Sequence, residues 1–179
     1  MKQITKIAGA VCCAGTLAGC ISSSEPMLTG AQPLLGQRLH LQLYSLRGGT
    51  AGEPEQATFV WNGKRYAYNE GNGKNLDDFT LHPFEGGGFI AQSVPQHGKT
   101  KVEYALVRTL VDGVYHVVAI DEEDADQGTR NEYCAKTGDA SCRIGSPQAL
   151  LAFARATAAR NKTDGGLAIR LAGEKPQMR

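Results

Sequence analysis

Carboxylates, imidazoles and thiols are the groups in this chain that could do chemistry, and their spacing decides what chemistry is open to them. The densest cluster is the acidic run Asp121, Glu122, Glu123, Asp124 and Asp126. A calcium loop of the EF-hand type needs oxygen ligands at alternate positions, glycine at six and glutamate at twelve. With Glu122 first, Asp124 and Asp126 fit, but Gln127 stands at the glycine position and Tyr133 at the glutamate position. The run therefore reads as the solvated start of a helix, its acids at the positive end of the dipole. Gly71-Asn72-Gly73-Lys74-Asn75 has the glycines and lysine of a phosphate cradle. The P-loop pattern also needs a glycine where Tyr68 stands and a hydroxyl where Asn75 stands, between a strand and a helix, so this stretch reads as a loop. His40, His82, His97 and His116 are scattered, with no second ligand at helical or strand spacing. His116 shares a strand face with Val114, Val118 and Ile120, which suits a core or rim histidine. No serine sits in a G-x-S-x-G elbow. These patterns indicate no catalytic residue, no metal site and no cofactor.

The thiols are more informative. Lys2 and Lys6 precede an uncharged, small and apolar stretch, Ile7 to Gly19, that is long enough for a signal peptide and too short for a membrane span. It ends in Leu17-Ala18-Gly19-Cys20, where small residues let a peptidase approach the backbone and Cys20 offers a thiol. This segment resembles the lipobox of bacterial lipoproteins. The resemblance implies cleavage before Cys20, a diacylglycerol thioether on its sulfur and N-acylation by a fatty acid such as palmitate. In Gram-negative lipoproteins an aspartate after the lipidated cysteine favours inner-membrane retention. Ile21 occupies that position here, so the resemblance implies the outer membrane, facing the periplasm. Several acyl chains at one terminus give stable anchoring, at ~0.8 kcal/mol per buried methylene.

Cys12 and Cys13 leave with such a leader and Cys20 is acylated, which leaves Cys134 and Cys142. In an oxidising compartment two remaining thiols most often pair, and a short closed loop of this kind is worth ~2–3 kcal/mol. A metal pair or a redox pair is the alternative, against which stand a spacing that is not C-x-x-C and the lack of a nearby histidine. The body resembles small uncharacterised Gram-negative envelope lipoproteins with a C-terminal cysteine pair, and that resemblance brings no activity with it.

Of 19 basic and 18 acidic residues, the leader holds only Lys2 and Lys6, so the mature chain carries one acidic charge in excess. That balance is no footprint for nucleic acid. The boundaries expected are a signal peptide over 1–19, a lipidated flexible tether over 20–35, a single domain over 36–172 and a tail over 173–179. The Ser22-Ser23-Ser24-Glu25-Pro26 stretch is what suggests the tether.

From Leu34 the period becomes two. Leu39, Leu41 and Leu43 alternate with polar residues, as in a half-buried strand. Ala57–Trp61 and Lys64–Tyr68 flank Asn62-Gly63, which predicts a tight type I′ hairpin with Phe59 opposite Tyr66 and Trp61 opposite Lys64. Short strands follow over 79–82, 89–94, 101–110 and 114–120, then a helix from Asp121 to about Lys136. Ser146 and Pro147 start a second helix with Leu150, Phe153, Ala154, Thr157 and Ala158 as its buried stripe, and Leu167–Leu171 reads as a last strand. The fold class expected is α+β: a curved antiparallel β-sheet or partial barrel of seven to eight strands with two C-terminal helices.

One face of the hairpin would carry Phe59, Trp61, Tyr66 and Tyr68, the best candidates for a ligand or contact face, with packing beneath the helices as the plainer assignment. The leading expectation is an outer-membrane lipoprotein, with a non-catalytic binding or envelope-structural role. Its partners would be the membrane, through the lipid anchor, and other envelope proteins. The second is a lipocalin-like carrier of a small apolar ligand, and the third an enzyme inhibitor or cryptic hydrolase assembled from distant residues.

Overall fold

In the computed structural model the described residues are 20–47, 50–71, 76–96, 99–136, 142–160 and 165–172. The leader, the Asn72–Asn75 part of the phosphate-cradle motif, His97 and the tail over 173–179 lie outside them. The elements run β1 (Ser22–Ser23), β2 (Arg38–Arg47), β3 (Thr50–Ala51), β4 (Glu55–Trp61), β5 (Tyr66–Gly71), β6 (Asp78–Phe84), β7 (Gly88–Val94), β8 (Val102–Val111) and β9 (Val114–Ala119). They continue with α1 (Gln127–Tyr133), β10 (Ala135–Lys136), β11 (Cys142–Arg143), α2 (Pro147–Arg160) and β12 (Leu167–Leu171).

Hairpin-connected strands pair in succession from β4 to β9, and β2 joins β4. The ring closes through β12, which pairs with β2 on one side and β9 on the other, Ile169 lying opposite both Leu43 and Tyr115. The result is a closed antiparallel barrel of eight strands with short extra strands and helices outside it, an α+β arrangement. Closure removes the exposed sheet edges that an open sheet would have to protect. Among the described residues the shortest ladder of the ring is β5–β6, where Tyr66 pairs with Phe79. Buried Asp78 reinforces this seam by accepting from the Tyr68 N–H (3.0 Å) and from Arg65 Nε (2.6 Å).

Strand alternation sorts two cores. Leu39, Leu41, Leu43, Phe59, Tyr66, Phe79, Leu81, Val107 and Val117 fill the barrel interior. Tyr104, Ala105, Leu106 and Val107 are buried in succession, because β8 is covered on both faces. On its outer side Ile90, Tyr104, Leu106 and Ile120 pack with Ile144, Leu150, Phe153 and Ala154, which lays α2 against the outside of the barrel wall. Ser146 caps α2 by accepting from the Ala149 N–H, and the expected stripe is buried apart from half-buried Ala158.

Three local expectations change. The helix expected from Asp121 to Lys136 is two pieces, a 3-10 turn at Glu122–Asp124 and α1. Asp121 Oδ1 accepts from the Glu123 N–H and Asp126 Oδ1 from the Thr129 N–H, so two capping carboxylates start two helices. The hairpin pairs Trp61 with Tyr66 and Phe59 with Tyr68, two residues away from the register expected for a type I′ turn. Its connection is the four-residue loop Asn62–Arg65, in which Asn62 Oδ1 accepts from the N–H groups of Lys64 and Arg65 and Gly63 supplies the positive φ. A slip of two leaves every side chain on its original face, so the aromatic set stays together.

The third change concerns residues 20–35, expected as a flexible tether. Ile21 is fully buried, Ser22 pairs with Glu103 of β8 and Arg143 of β11, and Ser23 Oγ shares a hydrogen bond with the Tyr104 hydroxyl. Further along, the Gln92 carboxamide accepts from the Met27 and Leu28 N–H groups and donates to the Leu28 carbonyl. Small polar side chains made this stretch look unfoldable. Its backbone supplies the hydrogen bonds instead, and Gln92 supplies a matching amide.

Candidate functional site

Phe59, Trp61, Tyr66 and Tyr68 point into the barrel, not toward the helices. Phe59 packs edge-on against Phe79 and Tyr68, with ring centroids 4.9 and 5.7 Å away, and Tyr66 meets Trp61 and Phe79 at 5.2 Å each. Phe59 and Tyr66 are fully buried, while Trp61 and Tyr68 are half-buried. The Tyr66 hydroxyl donates to the Gly36 carbonyl (2.8 Å) and accepts from the Leu35 N–H (3.3 Å). Burial pushes this phenol above its usual range, so it stays a donor at neutral pH. Through these two bonds the aromatic cluster holds the Pro33–Gly36 turn over one end of the barrel, with Leu34 and Leu35 packed on the interior core. Sequence patterning grouped these aromatics correctly but not against the right neighbour. Whether a strand face meets a helix or the opposite barrel wall depends on closure by β12.

Beneath Leu35 the packing leaves a cavity of about 40 Å³ lined by Leu41, Phe79, Val107, Tyr115, Ile169 and other apolar side chains. A water there would lack the two to four polar partners it needs, so the void suits apolar atoms. Binding a drug-sized or fatty ligand takes roughly 300–1,000 Å³. The lumen as folded has room for no more than a small apolar group.

Cys20 is half-exposed, forms an antiparallel bridge with Asp121 and immediately precedes buried Ile21. A partly exposed cysteine thus stands directly beside a residue of the core. Cys134 and Cys142 form a disulfide, which closes the loop between α1 and β11. Glu122 Oε2 lies 3.2 Å from Cys134 Sγ, and this trio has metal-ligand proximity, but both sulfurs are engaged with each other. Replacing both cysteines by alanine is expected to lower the melting temperature by roughly 5–10 °C, from ~2–3 kcal/mol of lost cross-link stabilisation. Thermal scans of the variant beside the wild type with and without reductant would measure it. Thiols that react in the unreduced wild type would contradict the bridge.

The remaining chemistry-bearing residues are dispersed. His40 Nδ1 meets Thr58 Oγ1 (3.1 Å), His82 Nε2 meets Thr80 Oγ1 (2.9 Å), and His116 Nε2 donates to the Gly165 carbonyl (2.7 Å). Burial lowers the His82 pKa and keeps it neutral. Asp121 and Asp126 serve as caps, and Asp124 pairs with Arg160 at 2.9 Å. His40, His116 and these carboxylates do not converge on one cleft.

On the outside of β2 and β4, His40, Gln42, Gln56, Thr58 and Glu70 line an open groove of about 680 Å³. Close backbone approach forms its floor: a Cβ on Gly71 would sit 2.3 Å from the Gln56 carbonyl oxygen. Such a surface presents amide, hydroxyl, imidazole and carboxylate groups to a hydrogen-bonding partner. Its only signal in the sequence is the polar half of the strand alternation, which any solvated strand shares. Among the described residues no helix is long and apolar enough to cross a membrane. Compared with known proteins, this chain matches no family model, no curated protein and no solved structure.

Proposed function

We propose that this chain is a lipoprotein held at the periplasmic face of the outer membrane by acyl groups on Cys20, its barrel serving as a non-catalytic binding or structural module of the envelope. The observation that carries this reading is the junction at residue 20. A half-exposed cysteine ends the lipobox-like tetrapeptide, and the very next residue, Ile21, is fully buried in the fold. The Cys134–Cys142 disulfide fits an oxidising compartment. A closed barrel with a filled interior is a rigid body suited to presenting an outer surface, and the His40–Glu70 groove is a polar surface that could meet a partner.

Cys20→Ser tests the anchor. The wild type is expected to incorporate labelled palmitate and enter the detergent phase on Triton X-114 separation, and the variant to do neither. Identical partitioning and labelling of the two proteins would overturn the proposal.

The apolar void under Leu35 favours a second reading, a lipocalin-like carrier limited to a small apolar ligand. Native mass spectrometry of protein purified from its own envelope should then show a bound small molecule, and a bare polypeptide mass would count against it.

A further inference from the structure

We infer that the barrel stands directly on the bilayer, with the end where β8 begins and β9 finishes against the lipid headgroups and the β8–β9 hairpin facing away. This rests on the acylation of Cys20 proposed above. Cys20 bridges Asp121, and the Ile21 N–H donates to the Ile120 carbonyl at 3.1 Å. Ser22 is held between β8 and β11, and its carbonyl accepts from the Ile144 N–H at 2.8 Å. No free residue separates the acylated sulfur from the body. A flexible stretch over residues 21–33 could have spanned about 40 Å when extended. The thioether linkage spans only a few ångströms.

Attachment at that point fixes which end is proximal. Cys20 sits beside the end of β9, and Ser22 and Ser23, two and three residues on, pair with Glu103 and Val102 at the start of β8. The ten residues of β8, at ~3.3 Å each and tilted about 40° as barrel strands are, carry the chain roughly 25 Å along the barrel axis. Leu110 and Val111, 51% and 62% exposed, lie at the far end of that strand. Taken alone, these two apolar residues would suggest a membrane-inserting tip. The position of Cys20 puts them on the side away from the bilayer. Charges near the attachment point have both signs, Glu122 and Glu123 on one surface with Arg130, and Arg143 opposite Ser22, so the linkage and not electrostatic attraction imposes the contact. The orientation should therefore survive high salt.

Energy transfer to the bilayer surface tests it. The full-length protein, lipidated in cells, would carry a donor fluorophore on Arg143→Cys or on Lys64→Cys, with the native disulfide kept oxidised. Both positions are exposed, Arg143 opposite Ser22 and Lys64 in the hairpin loop at the distal end. The proteins would be reconstituted in phosphatidylethanolamine–phosphatidylglycerol vesicles with a headgroup acceptor. The intact mass is read first, because a chain without acyl groups overturns the anchor and this inference with it. With the acyl mass present, transfer from position 143 should exceed that from position 64 at least twofold, at both 50 and 500 mM salt. Inserting twelve Gly/Ser residues between Cys20 and Ile21 should abolish the difference. Equal transfer in the uninserted acylated protein, or greater transfer from position 64, would overturn the orientation while leaving the anchor in place.

Discussion

Ile21→Ala is expected to lower the melting temperature by roughly 5–15 °C, although the residue adjoins the proposed site of lipid attachment. The Ile21 side chain is fully buried in the outer core, with Ile120, Ile144 and Leu150. Truncating a buried isoleucine to alanine costs about 2–5 kcal/mol, because the cavity left behind relaxes only in part. For a chain of this size each kcal/mol shifts the midpoint by ~2–4 °C. Circular dichroism melts of the unlipidated soluble domain from residue 20 onward would measure the change. The experiment has a sharp alternative outcome: a residue in a free tether would alter the midpoint by less than a degree. A null result would dismantle β1 as part of the fold, and with it the close seating of the barrel on the bilayer.

Phe59→Ala is expected to cost more, about 3–5 kcal/mol from burial and cavity formation, or roughly 10–15 °C. Phe59 is fully buried and holds two edge-on partners, Phe79 and Tyr68, each pair adding ~0.5–1.5 kcal/mol beyond area burial. Phe79 also borders the existing void beneath Leu35, so the new space opens beside it. The variant should consequently bind benzene or a similar small apolar molecule that the wild type binds weakly, as enlarged dry cavities do. Denaturant unfolding would give the loss in stability, and a ligand-dependent rise in melting temperature would report the cavity. Loss of less than 1 kcal/mol would mean that the aromatic cluster is peripheral to the core.

The roles of individual residues differ in how visible they are in the chain. Leu39, Leu41 and Leu43 alternate with polar neighbours, and this period of two suffices to place them on the buried face of a strand. Phe59, Trp61, Tyr66 and Tyr68 fall on one face in either hairpin register, so their grouping was legible even though the turn was not. Asn62 formed side-chain hydrogen bonds that favour a four-residue loop over the tight turn its Asn-Gly pair suggested. The stripe of α2 followed from its 3.6 period and its Ser146 cap. By contrast, Ser22 and Ser23 looked like linker residues because side-chain polarity carries no record of backbone pairing with Glu103, Val102 and Arg143. The His40–Glu70 groove was equally hidden, since outward polar residues from β2, β4 and β5 become one surface only when those strands pair in register.

The amino-acid order alone determined the local elements, the grouping of the aromatic residues, the α+β class and the sulfur chemistry open to Cys20, Cys134 and Cys142, because each of these is encoded by neighbours within a few turns or strand repeats. Tertiary structure decided that β12 closes the sheet between β2 and β9, that the aromatic face lies in the barrel interior and not under a helix, and that residue 21 belongs to the core. Those outcomes depend on pairings between segments more than forty positions apart. Their free energy comes from burial shared across the whole barrel, and no local window of the chain contains it.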